Sequence, residues 1–252
     1  MECRAIIFDV NGTLVRILTD EGMPEIFRAA AHLLTYQGIH LHRDQVREEY
    51  FRTLKEQQRA SPEHHPEFDA AGIWRSMIEN HRTAYTDALP AAKLAQLPLF
   101  LAELARGVSR RELGLYPHAR VVLDVLREHY PLAVVTDGQT AYARAELYKV
   151  GLLDYFDPIV VSGDLGFRKP DRRLFQLALD RLGVPAAQAV YVGNDMHRDV
   201  HGGREAGMTT VMFDSDQGVK SYLDCVPDHT ITDLRELLTL VGLPWPDDGA
   251  GC

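Results

Sequence analysis

Short apolar runs alternate with amphipathic stretches from about residue 117 to the end of the chain. Each run is rich in β-branched residues and stops at a polar or glycine-containing turn, which is typical of fully buried parallel strands. The runs are LAVVTDG (132–138), PIVVSGD (158–164), AVYVGND (189–195) and TTVMFDS (209–215), and the opening stretch CRAIIFD (3–9) adds one more. This alternation predicts an α/β fold, with a doubly wound parallel sheet and helices on both of its faces.

Residues 16–115 break the alternation and contain no convincing strand. Their apolar residues recur at helical spacing in four long stretches. The stretches are PEIFRAAAHLLTYQG, RDQVREEYFRTLKEQQRA, AGIWRSMIENHRTAY and LPLFLAELARG. We therefore predict an all-helical cap domain over residues 16–115, inserted into a Rossmann-like catalytic core formed by residues 1–15 plus 116–252. The last residues, PWPDDGAGC (244–252), are expected to form a flexible tail.

Composition limits the classes of partner. Of the 252 residues, 46% are hydrophobic and 25% are charged, and the formal net charge is -9. A negative net charge disfavours a nucleic acid or an anionic membrane as the main partner, whereas a local pocket can still bind a small anion. We expect a small-molecule substrate, no nucleic-acid partner and no membrane partner, and the sequence leaves the oligomeric state open.

The sequence also predicts where the protein resides. Apolar runs stay well short of the roughly 20 residues that cross a bilayer, and the opening MECRAIIFDVNG has too short an apolar run for a signal peptide. The three cysteines, Cys3, Cys225 and Cys252, are widely spaced and form no CxxC pair. Such usage is typical of a reducing cytosol, and favours neither a disulfide framework nor a zinc site. We therefore expect a cytoplasmic protein.

Polar residues follow the predicted strands at the points where ligands bind in an open parallel sheet, the carboxyl ends. These residues are Asp9, Asn11, Thr136, Asp137, Asp164, Asn194 and Asp195. Lys169, in GFRKPD, follows the strand at 158–164 and can lean over the same edge. Carboxylates, amides, a hydroxyl and an ammonium group are therefore expected to converge there.

Phosphoryl transfer is the chemistry that this grouping favours. Asp9 can act as a nucleophile and form an aspartyl-phosphate. Thr136 can hydrogen-bond a phosphate oxygen, and Lys169 can neutralise its developing charge. The turn at Gly12 lets backbone N–H groups approach an anion closely. Phosphate beside carboxylates requires a divalent cation, and Mg²⁺ takes oxygen ligands while keeping several waters.

The segments FDVNGTLV, VVTDG, RKPD and YVGNDMHRDVHGGREAGM together resemble the four motifs of the haloacid dehalogenase-like (HAD) hydrolase superfamily, in family order and at family-like spacing. The resemblance covers residues 1–15 and 116–241, and the helical insertion is similar to the family's cap. It implies that Asp9 is the nucleophile, Thr136 the phosphate-binding hydroxyl and Lys169 the bridging cation.

The resemblance also implies the remaining site residues. The backbone carbonyl of Asn11 would ligate Mg²⁺ together with Asp9 and residues of the fourth motif. Those residues are Asn194, a weak amide ligand, Asp195, the most direct ligand, and Asp199, a ligand directly or through water. Gly12, Thr13 and Asp137 would contact the substrate.

Two departures from the family pattern bear on mechanism. Asn11 stands where most of the family's phosphatases have the aspartate that acts as general acid and base, and Asn194 stands where they have an acid. General acid–base catalysis contributes about 10²–10⁴-fold. We therefore predict a slowed or altered phosphatase of small phosphate esters.

Two alternatives stay open. A 2-haloacid dehalogenase-like enzyme would use Asp9 to displace halide without a metal, and a non-acidic residue 11 suits that chemistry. The pair Asp195 and Asp199 suits it less well. The other alternative is a binding protein that retains the fold without turnover.

Overall fold

A computed structural model of the protein describes residues 3–246. Eight strands lie in this part: β1 (Ala5–Phe8), β2 (Val15–Thr19), β3 (Arg110–Leu115), β4 (Leu132–Thr136), β5 (Ile159–Val161), β6 (Ala189–Gly193), β7 (Thr209–Phe213) and β8 (His229–Ile231). Six of them form a sheet in the order β5-β4-β1-β6-β7-β8, in which every pair is parallel. The predicted doubly wound parallel sheet is therefore confirmed, and β8 extends it at one edge.

Helices cover both faces of this sheet and build the insertion. They are α1 (Pro24–Tyr36), α2 (Arg43–Ala60), α3 (Ala70–Asn80), α4 (Ala84–Asp87), α5 (Ala91–Ser109), α6 (Ala119–Arg127), α7 (Ala143–Lys149), α8 (Arg172–Leu182), α9 (Gly202–Glu205) and α10 (Arg235–Val241). A π-helical turn, Met196–His201, leads directly into α9. None of the helices in residues 3–246 is long and apolar enough to cross a bilayer.

The central strands are buried on both sides, as the unbroken apolar runs predict. Side chains alternate across a strand, so Ile6 and Phe8 of β1 join one core cluster, which includes residues of α6 and α10. Ile7 of β1 faces the other side and packs in a second cluster with Phe175 of α8. A third cluster lies within the insertion, around Trp74 of α3.

The expectation that residues 16–115 contain no strand is wrong at both ends of that range. β2 and β3 pair antiparallel, with Val15 opposite Leu115. An ion pair at 2.8 Å joins Arg16 to Glu112 across the ribbon. β3, with the sequence RRELGL, shows no clear apolar alternation, and its partner is nearly a hundred residues away. The division into a core of residues 1–15 plus 116–252 and a cap of residues 16–115 stays a prediction.

The loop between α2 and α3, residues 61–69, straps the helical insertion to the core. Glu67 N–H donates to the Gly166 carbonyl at 3.0 Å, and the Ser162 hydroxyl donates to the Glu67 carboxylate at 2.7 Å. The Gln139 amide donates to the Phe68 carbonyl at 2.7 Å. These contacts hold the strap against the segment that carries Lys169 and against the turn that follows β4.

The predicted flexible tail, residues 244–252, lies only partly within the described chain, since residues 247–252 are outside it. Trp245 differs from the expectation because it packs against the core, with its ring 5.5 Å from that of His118. Cys3 and Cys225 are free thiols, and Cys252 belongs to the undescribed end.

Candidate active site

The turn after β1 places Asp9 at the carboxyl end of the central strand. Gly12 adopts φ +89°, a conformation that glycine tolerates at no steric cost. A Cβ atom at Gly12 would also lie 2.2 Å from the Asn194 amide nitrogen. The next residue, Thr13, donates its hydroxyl to Asn194 Oδ1 at 3.2 Å. The turn is therefore docked against the end of β6.

Lys169 lies between two buried carboxylates. Its Nζ is 2.7 Å from Asp9 Oδ1 and 2.6 Å from Asp199 Oδ1. The Tyr191 hydroxyl is 3.2 Å from the same Nζ and donates to the Val135 carbonyl. The three charged side chains are almost entirely buried, so the ammonium group offsets a cost that either carboxylate alone would impose.

Burial and the neighbouring charges together set the pKa values of Asp9 and Lys169. Burial raises the pKa of Asp9 to about 6, an effect that the Lys169 charge opposes and the Asp199 charge reinforces. Burial alone would lower the pKa of Lys169, but the carboxylates of Asp199 and Asp9 raise it above its ordinary value. At neutral pH, Asp9 is therefore an ionised carboxylate beside a fixed cation, which is the state a nucleophile requires.

Asp199 has both carboxylate oxygens occupied. Oδ1 accepts from Lys169 and lies 3.2 Å from the Tyr191 hydroxyl oxygen. Oδ2 accepts the backbone N–H groups of Asn194 and Asp195, each at 3.0 Å. Gly193 makes this approach possible, because a Cβ atom there would lie 2.3 Å from Asp199 Cβ. Asp199 therefore anchors Lys169 to the turn after β6.

Asp195 is occupied in a different way. Its Oδ1 accepts the N–H groups of His197 and Arg198, at 3.0 and 2.8 Å, and so caps the following helical turn. Its Oδ2 accepts two hydrogen bonds from the Arg198 guanidinium and one from Val219 N–H. The Arg198 charge also lowers the pKa of Asp9, so a second cation acts on the Asp9 carboxylate.

Whether the site fits Mg²⁺ depends on the oxygens that these hydrogen bonds leave unoccupied. Within residues 3–246, no group of three or more His, Cys, Asp or Glu side chains is arranged to hold a metal ion. Ligation by Asp195 and Asp199 stays a prediction, and their saturated hydrogen bonds do not favour it. The Asp9 carboxylate, the Asn11 carbonyl and Asn194 Oδ1 are oxygen donors of the kind that Mg²⁺ prefers, and water and substrate oxygens would complete its shell.

A small pocket lies at the turn that follows β1. Asn11, Thr136 and Asp137 line it, together with Arg106 and Tyr142. The structure therefore brings Asn11 and Thr136 to one space. Asp137 Oδ1 accepts the Lys169 backbone N–H at 2.9 Å, which ties the second motif to the third.

Three site residues were missed from the sequence, and one of the predicted strand-end residues does not contact Asp9. Tyr191 was unmarked because it sits inside an apolar strand, whereas Arg198, three residues after Asp195, could have been noticed from its spacing. Arg106 was also unmarked; it pairs with buried Glu146 at 2.7 Å, and nothing local links two residues so far apart. Asp164 follows β5 at the same sheet edge, where it hydrogen-bonds Thr140 and does not contact Asp9.

Comparison with known proteins agrees with this geometry. The family model for haloacid dehalogenase-like hydrolases matches residues 3–207. A phosphoserine phosphatase of Thermus thermophilus is 34% identical over 176 residues, which are 68% of each chain. A glyceraldehyde 3-phosphate phosphatase of Methanopyrus kandleri is 29% identical over 94% of this chain and 97% of its own. Three other relatives are matched over only 55–58% of their length.

Solved structures share the fold. A 2-haloacid dehalogenase of Pseudomonas syringae pv. Tomato superposes with a TM-score of 0.65 at 24% identity. The superposition covers 95% of this chain and 98% of the other. At this identity the likeness concerns the fold alone.

Proposed function

The chain belongs to the haloacid dehalogenase-like hydrolase family, and from that premise we propose that it hydrolyses phosphate esters of small molecules through an aspartyl-phosphate on Asp9. The observation that carries the proposal is the buried contact of 2.7 Å between Lys169 Nζ and Asp9 Oδ1. That contact leaves Oδ2 available for attack. The phosphatase names of several relatives support the same reaction.

The proposed reaction consists of two successive displacements at phosphorus. Asp9 Oδ2 attacks phosphorus, and the bond between phosphorus and the ester oxygen breaks, so that this oxygen leaves as an anion and takes a proton from water. Water then attacks the aspartyl-phosphate, which releases inorganic phosphate and restores the carboxylate. Lys169 and the Thr136 hydroxyl stabilise the charge on the phosphoryl oxygens. Asn11 cannot supply a proton to the leaving oxygen, because its side chain is an amide.

Magnesium belongs to this proposal in a limited form. Asp9, Asn11 and Asn194 would hold the ion, and when bound it would neutralise negative charge on the phosphate oxygens. Lys169 would supply a second positive charge to the phosphate, and its ion pair with Asp199 fixes the position of its ammonium group.

The test measures phosphate release from an aryl phosphate, with Mg²⁺ and with a chelator. We expect release by the wild type with Mg²⁺, loss with the chelator, and loss in Asp9→Asn. Asp164→Asn is the matched control, because it makes the same change at an exposed acid of the same sheet edge that does not contact Asp9. Full activity of Asp9→Asn would rule out the aspartyl-phosphate.

A second candidate function is 2-haloacid dehalogenation. The amides at Asn11 and Asn194 favour it, since they leave Asp9 as the sole free carboxylate among the predicted metal ligands. Asp9 Oδ2 would form an ester with the halogen-bearing carbon as halide leaves, and water would hydrolyse that ester to a hydroxy acid. Halide release from 2-chloropropionate in the presence of chelator, without phosphatase activity, would establish this function instead.

A further inference from the structure

A crevice with a basic lining runs along the seam between α1 and α2. It consists of two cavities, of about 360 and 200 Å³, which meet at Arg43 because that residue lines both. The larger one lies within the range of roughly 300–1,000 Å³ that small-molecule sites occupy. We name the two cavities together the basic crevice. Its charged and imidazole-bearing lining residues are Arg28, His32, His42, Arg43, Asp44 and Arg47.

The charge of the crevice is opposite to that of the whole chain. Three arginines and a single carboxylate, Asp44, line it, so two positive charges are in excess when histidine is counted as neutral. The chain as a whole carries a formal net charge of -9. A local positive surface on an acidic protein attracts small anions to that place.

The three arginines are available to a ligand. Arg28, Arg43 and Arg47 are exposed, and none of them donates a hydrogen bond to a carboxylate within residues 3–246. Arg43 Nε lies 3.7 Å from Asp44 Oδ1, which is longer than a hydrogen bond. An anion in the crevice would therefore meet guanidinium groups whose hydrogen-bond donors are not already taken by an acid.

Two of the arginines are held in position by α2. Arg43 and Arg47 are four residues apart and so lie on one face of this helix. The Arg47 guanidinium stacks on aromatic rings, at 5.3 Å from the Phe51 centroid and 6.0 Å from that of Phe27. Arg43 is the first residue of α2, where the partial positive charge of the helix N-terminus also favours an anion. Such fixed groups lose little freedom when they bind.

The division of the crevice into two cavities indicates the kind of anion. Arg43 and Arg47 line the larger cavity, whereas Arg28 and Arg43 line the smaller one. A guanidinium group can bind phosphate oxygens through two parallel hydrogen bonds. Two linked phosphate groups would place one in each cavity, with Arg43 between them. A long polyanion suits the surface less well, because the net negative charge of the chain would repel it beyond the crevice.

From these observations we propose that the basic crevice binds a small soluble molecule that carries a diphosphate group. Asp9, Thr136 and Lys169 are absent from the described lining of the crevice. The site is therefore separate from the one at the sheet edge, and the proposal does not depend on the proposed phosphatase function.

The experiment measures the binding of inorganic diphosphate by calorimetry, in the presence of a chelator so that no divalent cation mediates it. We expect the wild type to bind diphosphate more tightly than orthophosphate, and more weakly as the salt concentration rises. Arg43→Gln should weaken the binding of diphosphate about tenfold or more, because it removes the charged donor shared by both cavities. Arg28→Gln, which alters the smaller cavity alone, should also weaken it.

Arg59→Gln is the matched control, because it makes the same change at an exposed position of α2 outside the crevice. Absence of binding to the wild type, or equal affinities of Arg43→Gln and Arg59→Gln, would overturn the proposal. Orthophosphate binding as tight as that of diphosphate would also contradict it. Binding of single-stranded DNA or phosphatidylserine vesicles, without binding of diphosphate, would replace it with a macromolecular partner. These measurements require no turnover, so their outcome is independent of whether an aryl phosphate is hydrolysed.

Discussion

Lys169 Nζ and Asp9 Oδ1 lie 2.7 Å apart and both are buried, although 160 residues separate them in the chain. The contact joins the first and third sequence motifs, and Asp199 extends it to the fourth. One ammonium group therefore neutralises two carboxylates, so the reactivity of Asp9 and the stability of the fold depend on the same side chain.

Lys169→Met tests the structural share of this role. The change leaves Asp9 and Asp199 buried without their cation, and we expect the free energy of unfolding to fall by about 3–5 kcal/mol. Denaturant titration measures the loss. Lys149→Met, at an exposed position, should change stability little; equal losses in the two variants would contradict the role assigned to Lys169.

The raised pKa of Asp9 predicts a pH dependence. Since Asp9 must be ionised to attack, kcat/KM should fall as the pH drops through about 6. Arg198→Gln removes a charge that lowers the pKa of Asp9, so this limb should move to higher pH. Arg172→Gln removes the same charge at an exposed position of α8 and should leave the limb in place.

The raised pKa of Asp9 predicts a pH dependence of stability that is opposite to that of activity. The pKa of Asp9 is about 6 in the fold and 3.8 as its ordinary value. The folded chain therefore binds the extra proton more strongly, and stability from this group is full below pH 3.8 and lost as the pH rises through about 6. Comparing the unfolding free energies of wild type and Asp9→Asn across this range isolates the effect.

Asn11→Asp places an acidic side chain, which can donate a proton, in the small pocket at the turn after β1. For an alkyl phosphate, whose leaving oxygen needs a proton, we expect kcat/KM to rise by about 10²-fold, at the lower end of general acid catalysis. For an aryl phosphate such as 2-naphthyl phosphate the gain in kcat/KM should be smaller, because a phenol of pKa about 10 can leave as an anion without receiving a proton. Asn11→Ser provides no acid and serves as the control; a similar gain in Asn11→Ser would show that the effect has another cause.

Two glycine substitutions should have opposite signs. Gly12→Ala forces a Cβ into the Asn194 amide at φ +89°, and we expect a loss of at least about 1–3 kcal/mol of unfolding free energy. Gly107→Ala lies in α5 where no atom is within 4 Å of the new Cβ, and should gain about 0.5–1 kcal/mol. Thermal unfolding of both variants checks the pair.

The sequence predicted the sheet because β-branched runs such as that of β6 carry their own burial pattern. It missed β8, since HTI is too short to show a period. It also missed the β2–β3 ribbon, since RRELGL gains its structure from a distant partner. Local sequence patterns therefore predicted the strands that bury apolar surface. Strands β2, β3 and β8 depend instead on pairing with partner strands, which local patterns do not show.

For the site, strand-end polarity correctly predicted that Asp9, Thr136 and Lys169 lie at one sheet edge. It could not predict which hydrogen-bond donors each carboxylate oxygen accepts. Asp195 accepts hydrogen bonds from Arg198 and from backbone N–H groups, and this arrangement depends on side-chain rotamers that spacing does not encode.

The strap of residues 61–69 has a consequence for the catalytic cycle. Gln139, three residues after Thr136, holds the strap by donating to Phe68 and accepting from Ala70 N–H. His65 holds the strap next to Lys169, because its carbonyl accepts the backbone N–H of Arg168 at 2.9 Å. If the helical insertion moved away on this side, it would also displace the two segments that carry Thr136 and Lys169, the residues proposed to bind phosphate. Opening of the site and release of the phosphoryl group would then occur together.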